Sequence, residues 1–290
     1  MLRTLLACLV FGILAGASAV VGAENPKQSA PTTRASDASL RLKWEENILT
    51  ISGRALPGGE LKVLYLEAYC RAGSTDRKWD ETVIGHKTRL VSASPDGREI
   101  RLQCTLKDGV VVDHEITAGA DDVDFRLVVT NPTDKASAAD WAQPCLRVDA
   151  FTGKDKDTYL EKCFIFEHGK LARMPTERWA TKALYTPGQV WAAKGVKRSD
   201  VNPRPLNEGT PDNALIGCFS ADEKMMLAVA FEPCQELFQG VYACLHSDFR
   251  IGGLAPAESK KIHGKIYVMP ADAEALIARY ERDFPHGARP

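Results

Sequence analysis

The sequence predicts an all-β fold: a large antiparallel β-sandwich with long loops and a single C-terminal α-helix. Hydrophobic and polar residues alternate in short segments between about residues 40 and 130, as expected for strands with one buried face. Turn residues such as Gly, Pro, Asn and Asp separate these segments at regular intervals. With 290 residues, 44% of them hydrophobic, the chain is long enough to bury a sizeable core.

The positive and negative charges almost balance. There are 37 basic and 38 acidic side chains, and the sequence pI is near 6.6. Such a chain lacks the broad cationic field that binding to nucleic acid or to an anionic membrane usually requires. We therefore expect neither partner.

The first 23 residues have the pattern of a secretory signal peptide. Arg3 precedes an apolar core from Leu5 to Ile13, and small residues provide a cleavage site after Ala23. Residues 24–38 are rich in Ser, Thr, Pro and Ala and predict a flexible linker. The sequence thus predicts a secreted or periplasmic protein that keeps no membrane segment after cleavage.

The cysteines fit more than one interpretation. Cys8 lies inside the apolar core of the signal rather than at its end, which argues against a lipoprotein. An odd number of cysteines remains after cleavage, so at least one has no intramolecular partner. The others either form disulfides or are buried as small apolar residues. The seven cysteines that remain after cleavage are Cys70, Cys104, Cys145, Cys163, Cys218, Cys234 and Cys244.

The first predicted strands form a hairpin followed by a central strand. Segments 40–44 and 49–51 alternate between apolar and polar residues, and the turn Leu56-Pro57-Gly58-Gly59 ends the second of them. Segment 61–70 carries large apolar side chains on both faces. A strand of this kind is expected in the middle of a sheet.

A meander of three strands follows. Segments 100–106, 110–116 and 123–129 alternate strictly, and the turns Asp108-Gly109 and Ala118-Gly119-Ala120 separate them. Short strands joined by tight turns indicate antiparallel pairing.

Residues 151–212 are expected to form long loops with one short strand at 163–166. This stretch contains five prolines and the aromatic residues Trp179, Tyr185 and Trp191. Long ordered loops in a compact domain often carry function.

Strands and one helix complete the predicted fold. The strands are expected at 215–219, 225–231 and 262–268, and the helix begins after Asp272 and ends near Phe284. We assign residues 39–270 to the sandwich and residues 271–286 to the helix packed on it.

The common catalytic motifs are missing from the sequence. It has no phosphate-binding loop, dinucleotide fingerprint, zinc-protease motif, nucleophile elbow or calcium loop. No two cysteines have the spacing of a zinc knuckle, and the histidines have no ligand spacing. We therefore expect no metal and no cofactor.

Trp141, Arg147 and Asp149 form the first candidate binding cluster. An indole face packs well against the apolar face of a sugar ring, and the polar neighbours can bind its hydroxyl groups. The alternative is that Trp141 fills the core while Arg147 and Asp149 form an ion pair on a strand.

His246 and Glu232 form a candidate catalytic pair, with Asp248 and Arg250 beside them. Alternation places His246, Asp248 and Arg250 on one face of an extended segment. A histidine next to a carboxylate suits proton transfer, with Glu232 as its complement. The alternative is a structural ladder of polar residues at a strand edge.

Glu67 is a further candidate binding residue because it lies between Tyr65 and Tyr69 on the predicted face of one strand. It is either a binding residue or a buried, satisfied acid. His114 shares the apolar face of its strand, which favours a hydrogen-bonded core histidine.

The sequence resembles the supersandwich of galactose mutarotase-like proteins, which include aldose epimerases and sandwich domains of polysaccharide lyases and glycosidases. The resemblance lies in segments 112–116, 123–132 and Trp141, and in the closing segments 253–256 and 262–268. The chain is also similar to a family of uncharacterised secreted bacterial proteins that share Trp-Ala-Gln-Pro-Cys, here 141–145, and His-Ser-Asp-Phe-Arg-Ile-Gly-Gly, here 246–253.

The resemblance implies an exported protein that binds a carbohydrate in a cleft on the concave face of the sandwich. Epimerases of that fold use a histidine acid and a glutamate base, which implies His246 and Glu232, although the flanking residues differ from the epimerase motifs. Any enzymatic activity would be that of an epimerase, lyase or hydrolase. The alternative is a noncatalytic glycan-binding or cell-envelope structural protein. The implied ligand-binding residues are three stacking platforms, Trp141, Trp179 and Trp191, and Arg147 or Arg250 for an acidic sugar.

Overall fold

The computed structural model describes residues 39–285. The predicted signal peptide and linker lie outside the described residues. In chain order the strands are β1 (Arg41–Glu45), β2 (Ile48–Ser52), β3 (Glu60–Arg71), β4 (Val83–Ile84), β5 (His86–Ala93), β6 (Glu99–Leu106), β7 (Val111–Ala118), β8 (Asp122–Thr130), β9 (Ala139–Arg147), β10 (Cys163–Glu167), β11 (Lys170–Arg173), β12 (Gln189–Ala192), β13 (Ile216–Phe219), β14 (Met225–Glu232), β15 (Cys234–Gln239), β16 (Cys244–Arg250) and β17 (Ser259–Pro270). The helices are α1 (Trp79–Thr82), α2 (Asp149–Thr152) and α3 (Ala273–Asp283), and Tyr159–Lys162 forms a 3₁₀ turn.

Within this range the strands form two antiparallel sheets. Sheet 1 has the order β1-β2-β3-β9-β16-β15-β12, with β4 beside β3. Sheet 2 has the order β11-β10-β13-β14-β17-β8-β7-β6-β5. The two sheets face each other across a shared apolar core, so the predicted all-β sandwich is confirmed.

Aromatic rings from both sheets meet in the core. Phe125 of sheet 2 lies 5.4 Å from the ring of Tyr65 in sheet 1, and Phe231 of sheet 2 lies 5.5 Å from Phe249 in sheet 1. His114 accepts or donates a hydrogen bond at 2.9 Å to the Tyr65 hydroxyl, and burial lowers the pKa of this histidine to about 3. His114 is therefore the core histidine that the sequence predicts.

The C-terminal helix that the sequence predicts packs on the outer face of sheet 2. The Asp272 side chain caps it by accepting a hydrogen bond from the Ala275 amide at 2.9 Å. Leu276 and Tyr280 are buried against a separate apolar layer that includes Tyr267. The helix therefore covers sheet 2 and leaves the outer face of sheet 1 to the loops.

The sequence pattern does not predict β5, β11, β12 or β15, so the expectation of a single short strand within residues 151–212 is wrong. The β5 strand lies at the edge of sheet 2 and most of its side chains are exposed, so it shows no apolar alternation. The β12 and β15 strands are buried on both faces, so their sequences do not alternate either.

Two further features bear on the sequence predictions. All seven cysteines in the described range are free thiols, and only Cys234 is not fully buried. Within residues 39–285 there is no helix with the length and apolar character needed to span a membrane.

Candidate functional site

The outer face of sheet 1, the side turned away from sheet 2, carries a row of buried polar side chains. In β16 the ring of Phe249 points into the core between the sheets. Alternation along the strand therefore turns Cys244, His246 and Asp248 to the outer face. All three side chains are nevertheless buried, because loops cover them.

Three loops cover this face and hold one another in place: those between β3 and β4, between β11 and β12, and between β12 and β13. The Thr75 hydroxyl in the first donates a hydrogen bond to the carbonyl of Arg198 in the third at 2.9 Å. The Asn202 amide in the third donates to Glu236 Oε2 of β15 at 2.8 Å. The Tyr185 amide in the second donates to the Pro203 carbonyl in the third at 3.0 Å, so the three loops are tied to each other and, through the third, to the sheet beneath.

The loops part over β9 and β16 and leave an opening that we call the cleft. It consists of two adjoining cavities of about 290 Å³ and about 710 Å³, within or close to the size typical of small-ligand sites. Arg204, Val241 and Tyr242 line both cavities. Other lining residues are the aromatic Trp79, Trp179 and Tyr185, the charged Glu67 and Arg147, and the amides Gln143 and Asn202.

Two guanidinium groups rest on aromatic rings inside the cleft. The Arg147 guanidinium lies 5.9 Å from the centre of the Tyr242 ring, and that of Arg204 lies 5.5 Å from the Tyr185 ring. Burial lowers the pKa of Arg204, although a guanidinium stays charged in proteins. Glu67 is the acidic side chain that lines the same cavity, so cations outnumber anions there.

The floor of the smaller cavity contains Cys145, Cys244 and His246, which we call the cysteine–histidine cluster. Cys244 Sγ lies 3.3 Å from His246 Nε2, and one potential ligand atom from each of the three residues falls within 4.8 Å of the others. Hydrogen bonding from the Cys145 thiol, reinforced by the neighbouring His246, lowers the pKa of Cys244 well below its usual range. The same contact and burial raise the pKa of Cys145.

A pair of buried carboxyl groups lies behind this cluster. Glu236 of β15 and Asp248 of β16 are directly opposite each other in the sheet. Burial raises the pKa of Glu236 to about 8, and burial together with the charge of Glu236 raises the pKa of Asp248 well above its usual range. At neutral pH the pair therefore holds at least one proton.

Four residues predicted from the sequence line the cleft: Glu67, Arg147, Trp179 and His246. Glu67 does so for a different reason than expected. The pairing of β3 with β9 shifts register between Leu64 and Ala68, and this bulge turns Glu67 outward while Tyr65 and Tyr69 remain in the core. The expectation that Glu67 shares a face with both tyrosines is therefore wrong.

Three other predicted binding residues are enclosed. Trp141 and Trp191 are fully buried, Trp141 in a small apolar cluster on the outer face of sheet 1 and Trp191 in the main core. Neither ring presents a face to the cleft, so their assignment as stacking platforms is corrected. Asp248 is also fully buried and can act only through its neighbours.

Arg250 and Asp149 lie away from the lining residues of the cleft. Arg250 donates a hydrogen bond to Gln235 Oε1 at 2.7 Å, and its guanidinium lies between the carboxylates of Asp140 and Asp200 at 4.0 and 3.9 Å. Asp149 is exposed in the first turn of α2. Arg250 is therefore held by contacts with protein groups, and it does not line the cleft in which the sequence analysis expected it to bind a ligand.

Glu232 and His246 line different cavities. Glu232 accepts a hydrogen bond from the Tyr280 hydroxyl of α3 at 2.5 Å and from the Cys234 amide at 3.1 Å. Its cavity lies beside the end of α3 and includes His263. The acid–base role of the pair stays a prediction, but the described structure does not bring the two side chains into one site.

Sequence reasoning missed Trp79, Tyr185, Arg204, Tyr242, Cys145 and Cys244 as site residues. A signal existed for the two cysteines, because each lies within or beside a segment that the sequence singles out, 141–145 and 246–253. These segments are about a hundred positions apart, and only the pairing of β9 with β16 makes them neighbours. The expectation of no metal stays a prediction, although three potential ligand atoms come together here without any sequence spacing that marks them.

The fold and the site together define a two-sheet β-sandwich protein with a ligand-sized, loop-covered cleft on the outer face of one sheet. No protein-family model and no curated protein sequence matches the chain. Solved structures that it resembles include proteins described as galactose mutarotase-like and as a putative aldose 1-epimerase.

Three of these structures show how distant the similarity is. A galactose mutarotase-like protein from Lactobacillus casei is 8% identical, with 79% of this chain and 99% of that chain covered and a TM-score of 0.43. A galactose mutarotase related enzyme from Lactobacillus acidophilus is 9% identical, with 81% and 98% covered and a TM-score of 0.42. A galactose 1-epimerase from the same organism is 10% identical, with 81% and 98% covered and a TM-score of 0.38. At these values no residue or activity is transferred, and the fold assignment rests on the sheet topology of this chain.

Proposed function

We propose that the chain binds an acidic carbohydrate in the cleft. The observation that carries this proposal is the joint placement of Arg147 and Arg204, each lying over a tyrosine ring, in a cavity that contains one acidic side chain. A guanidinium pairs with a carboxylate or sulfate in a bidentate manner. Its surplus in the cleft therefore favours an anionic ligand.

The other lining residues suit a sugar rather than a flat or wholly apolar ligand. Trp79 and Tyr185 offer aromatic surface for the apolar face of a pyranose ring. Gln143 and Asn202 provide amide donors and acceptors for hydroxyl groups. The larger cavity, which Trp179 lines, has room for a further sugar unit. An oligosaccharide thus fits the cleft better than a single sugar.

Binding, rather than turnover, is the function that this geometry supports. Glu232 lies under the end of α3 and is bonded to Tyr280, so it does not supply a base to a sugar in the cleft. The signal peptide predicted for residues 1–23 supports binding outside the cytoplasm.

A binding screen with acidic and neutral oligosaccharides tests the proposal. We expect the purified protein to retain uronate-bearing or sulfated oligosaccharides, and the double variant R147Q/R204Q to bind them at least about tenfold more weakly, because two charge-assisted contacts are lost. The affinity for neutral oligosaccharides should change much less in this double variant.

Arg173 provides a matched control. Its guanidinium also lies over an aromatic ring, 4.2 Å from that of Phe219, but at the edge of sheet 2, where it pairs with Glu223. R173Q should bind like the parent. The proposal fails if the parent retains no acidic oligosaccharide, or if R147Q/R204Q and R173Q bind equally well.

A further inference from the structure

We propose that Cys145, Cys244 and His246 bind a zinc ion, with a fourth coordination position open to the cleft. The three ligand atoms come from neighbouring strands, β9 and β16, and lie within 4.8 Å of one another. All three residues also line the smaller cavity of the cleft. Two thiolates and one imidazole with an open fourth position are a known zinc ligand set.

The distances agree with tetrahedral coordination. With Zn–S near 2.3 Å and Zn–N near 2.0–2.1 Å, tetrahedral angles place a sulfur and a nitrogen ligand about 3.6 Å apart and two sulfurs about 3.8 Å apart. The observed separation of Cys244 Sγ from His246 Nε2 is 3.3 Å. An ion can therefore enter with shifts of a few tenths of an ångström at this pair.

The environment of the second imidazole nitrogen supports the same assignment. His246 Nδ1 lies 3.8 Å from Asp248 Oδ1, and both atoms are buried without a hydrogen-bond partner among the described residues. Histidines that bind metal through one nitrogen commonly donate the other N–H to a carboxylate. Asp248 is placed to orient the ligand in this way.

The strand register favours a shared ion over a disulfide between the two cysteines. Cys244 pairs with Arg147. Cys145 comes two residues before Arg147 in β9, so it is the diagonal neighbour of Cys244. The β-carbons of diagonal neighbours are usually too far apart for a disulfide. Cys163 and Cys218, by contrast, are directly opposite each other in sheet 2.

Metal titration of the reduced, purified protein tests the proposal without any sugar. We expect one Zn²⁺ per chain, and Co²⁺ in its place should give thiolate-to-cobalt charge-transfer absorption and intense tetrahedral ligand-field bands. C145S, C244S and H246Q should each weaken binding by more than about 100-fold, and D248N by about 10- to 100-fold. C218S, a buried cysteine of sheet 2, should bind like the parent.

A second measurement uses the unaltered protein, in case a variant fails to fold. Zn²⁺ should slow the alkylation of Cys145 and Cys244 at least tenfold and leave the rate at Cys234 unchanged. The zinc site is refuted if the parent binds no stoichiometric metal, if C145S and C244S bind as the parent does, or if peptide mapping of the unreduced protein finds Cys145 and Cys244 joined by a disulfide. The sugar-binding proposal stands or falls separately, because no arm of this test contains sugar.

Discussion

Trp79 and Trp141 lie 6.4 Å apart on the outer face of sheet 1, but of the two only Trp79 lines the cleft. Trp141 is fully buried behind it, beside Ala68 and Cys70. The two indoles therefore have different tasks: one offers a surface to a ligand and the other supports that surface.

Replacing each indole should separate these tasks. Trp79→Ala should weaken oligosaccharide binding roughly fivefold, because about 1 kcal/mol of stacking is lost, with little change in stability. Trp141→Ala should lower the free energy of unfolding by about 3–5 kcal/mol, because it leaves a cavity in a fully buried site. Binding measurements and denaturant titrations distinguish the two, and equal loss of stability in both variants would contradict the assignment.

Glu232→Gln tests whether Glu232 is structural. Its carboxylate accepts hydrogen bonds from Tyr280 and from the Cys234 amide, and burial raises its pKa. Glutamine keeps a single acceptor oxygen, so we expect a loss of about 1 kcal/mol in stability and unchanged affinity for oligosaccharide. Tyr280→Phe should behave alike. Loss of a sugar-processing activity in Glu232→Gln at full stability would instead support the acid–base pair predicted from the sequence.

Asp140→Asn should change how stability depends on pH. Burial, and then the nearby charge of Asp200, raise the pKa of Asp140 from 3.8 to about 6, against the opposing effect of Arg250. The folded state therefore binds more protons than the unfolded state between about pH 4 and pH 6, and its stability falls as the pH rises through that window.

The asparagine variant lacks this titration. Between pH 4 and pH 7 the parent should lose about 1 kcal/mol more stability than Asp140→Asn, since solvent screening of the repulsion between Asp140 and Asp200 reduces the full effect of roughly 3 kcal/mol. Urea titrations at both pH values provide the comparison. Parallel changes in parent and variant would show that Asp140 is not perturbed.

Gly264 leaves room for the ring of Phe231, which lies directly opposite it in sheet 2. A β-carbon at this position of β17 would overlap the ring of Phe231 in the core. Gly264→Ala should therefore lower the free energy of unfolding by about 1–3 kcal/mol. Gly85→Ala is the control, because an added β-carbon there meets no atom within 4 Å, and it should be nearly neutral in a thermal or denaturant titration.

The sequence predicts those strands that have one face in the core and the other in solvent. The β6, β7 and β8 strands of sheet 2 alternate in burial as their sequences alternate in polarity. The pattern fails in sheet 1, where loops bury the outer face as well. The β9 and β16 strands are buried almost throughout, so their polar residues occupy positions that a sequence alone would assign to solvent.

Pro144 adds a second difficulty in β9. A proline usually excludes a central strand, because it cannot donate to the ladder. In this fold the pairing of β9 with β3 shifts register at Pro144: Cys145 pairs with Leu64, and Gln143 pairs with Ala68. The same irregularity turns Glu67 into the cleft. Local alternation does not reveal a bulge of this kind, which depends on the neighbouring strand.

Part of the site could be predicted from the sequence. Arg147, His246 and Glu67 combine chemistry-bearing side chains with extended segments, and all three line the cleft. Arg204 and Tyr185 come from loops that are held by contacts with other connecting segments, Arg204 with the Pro187 carbonyl and Tyr185 with the Trp79 amide of α1, so no periodicity marks them. The cysteine–histidine cluster requires the pairing of β9 with β16, which sequence spacing does not encode.

A crystal structure of the protein with the acidic oligosaccharide that it retains most tightly tests the central claim most directly. The account predicts density for the sugar in the cleft between Trp79 and Trp179, with its carboxylate or sulfate group within hydrogen-bond distance of Arg147 or Arg204. An empty cleft at saturating oligosaccharide, or a sugar seated instead in the cavity beside α3 near Glu232, would contradict it.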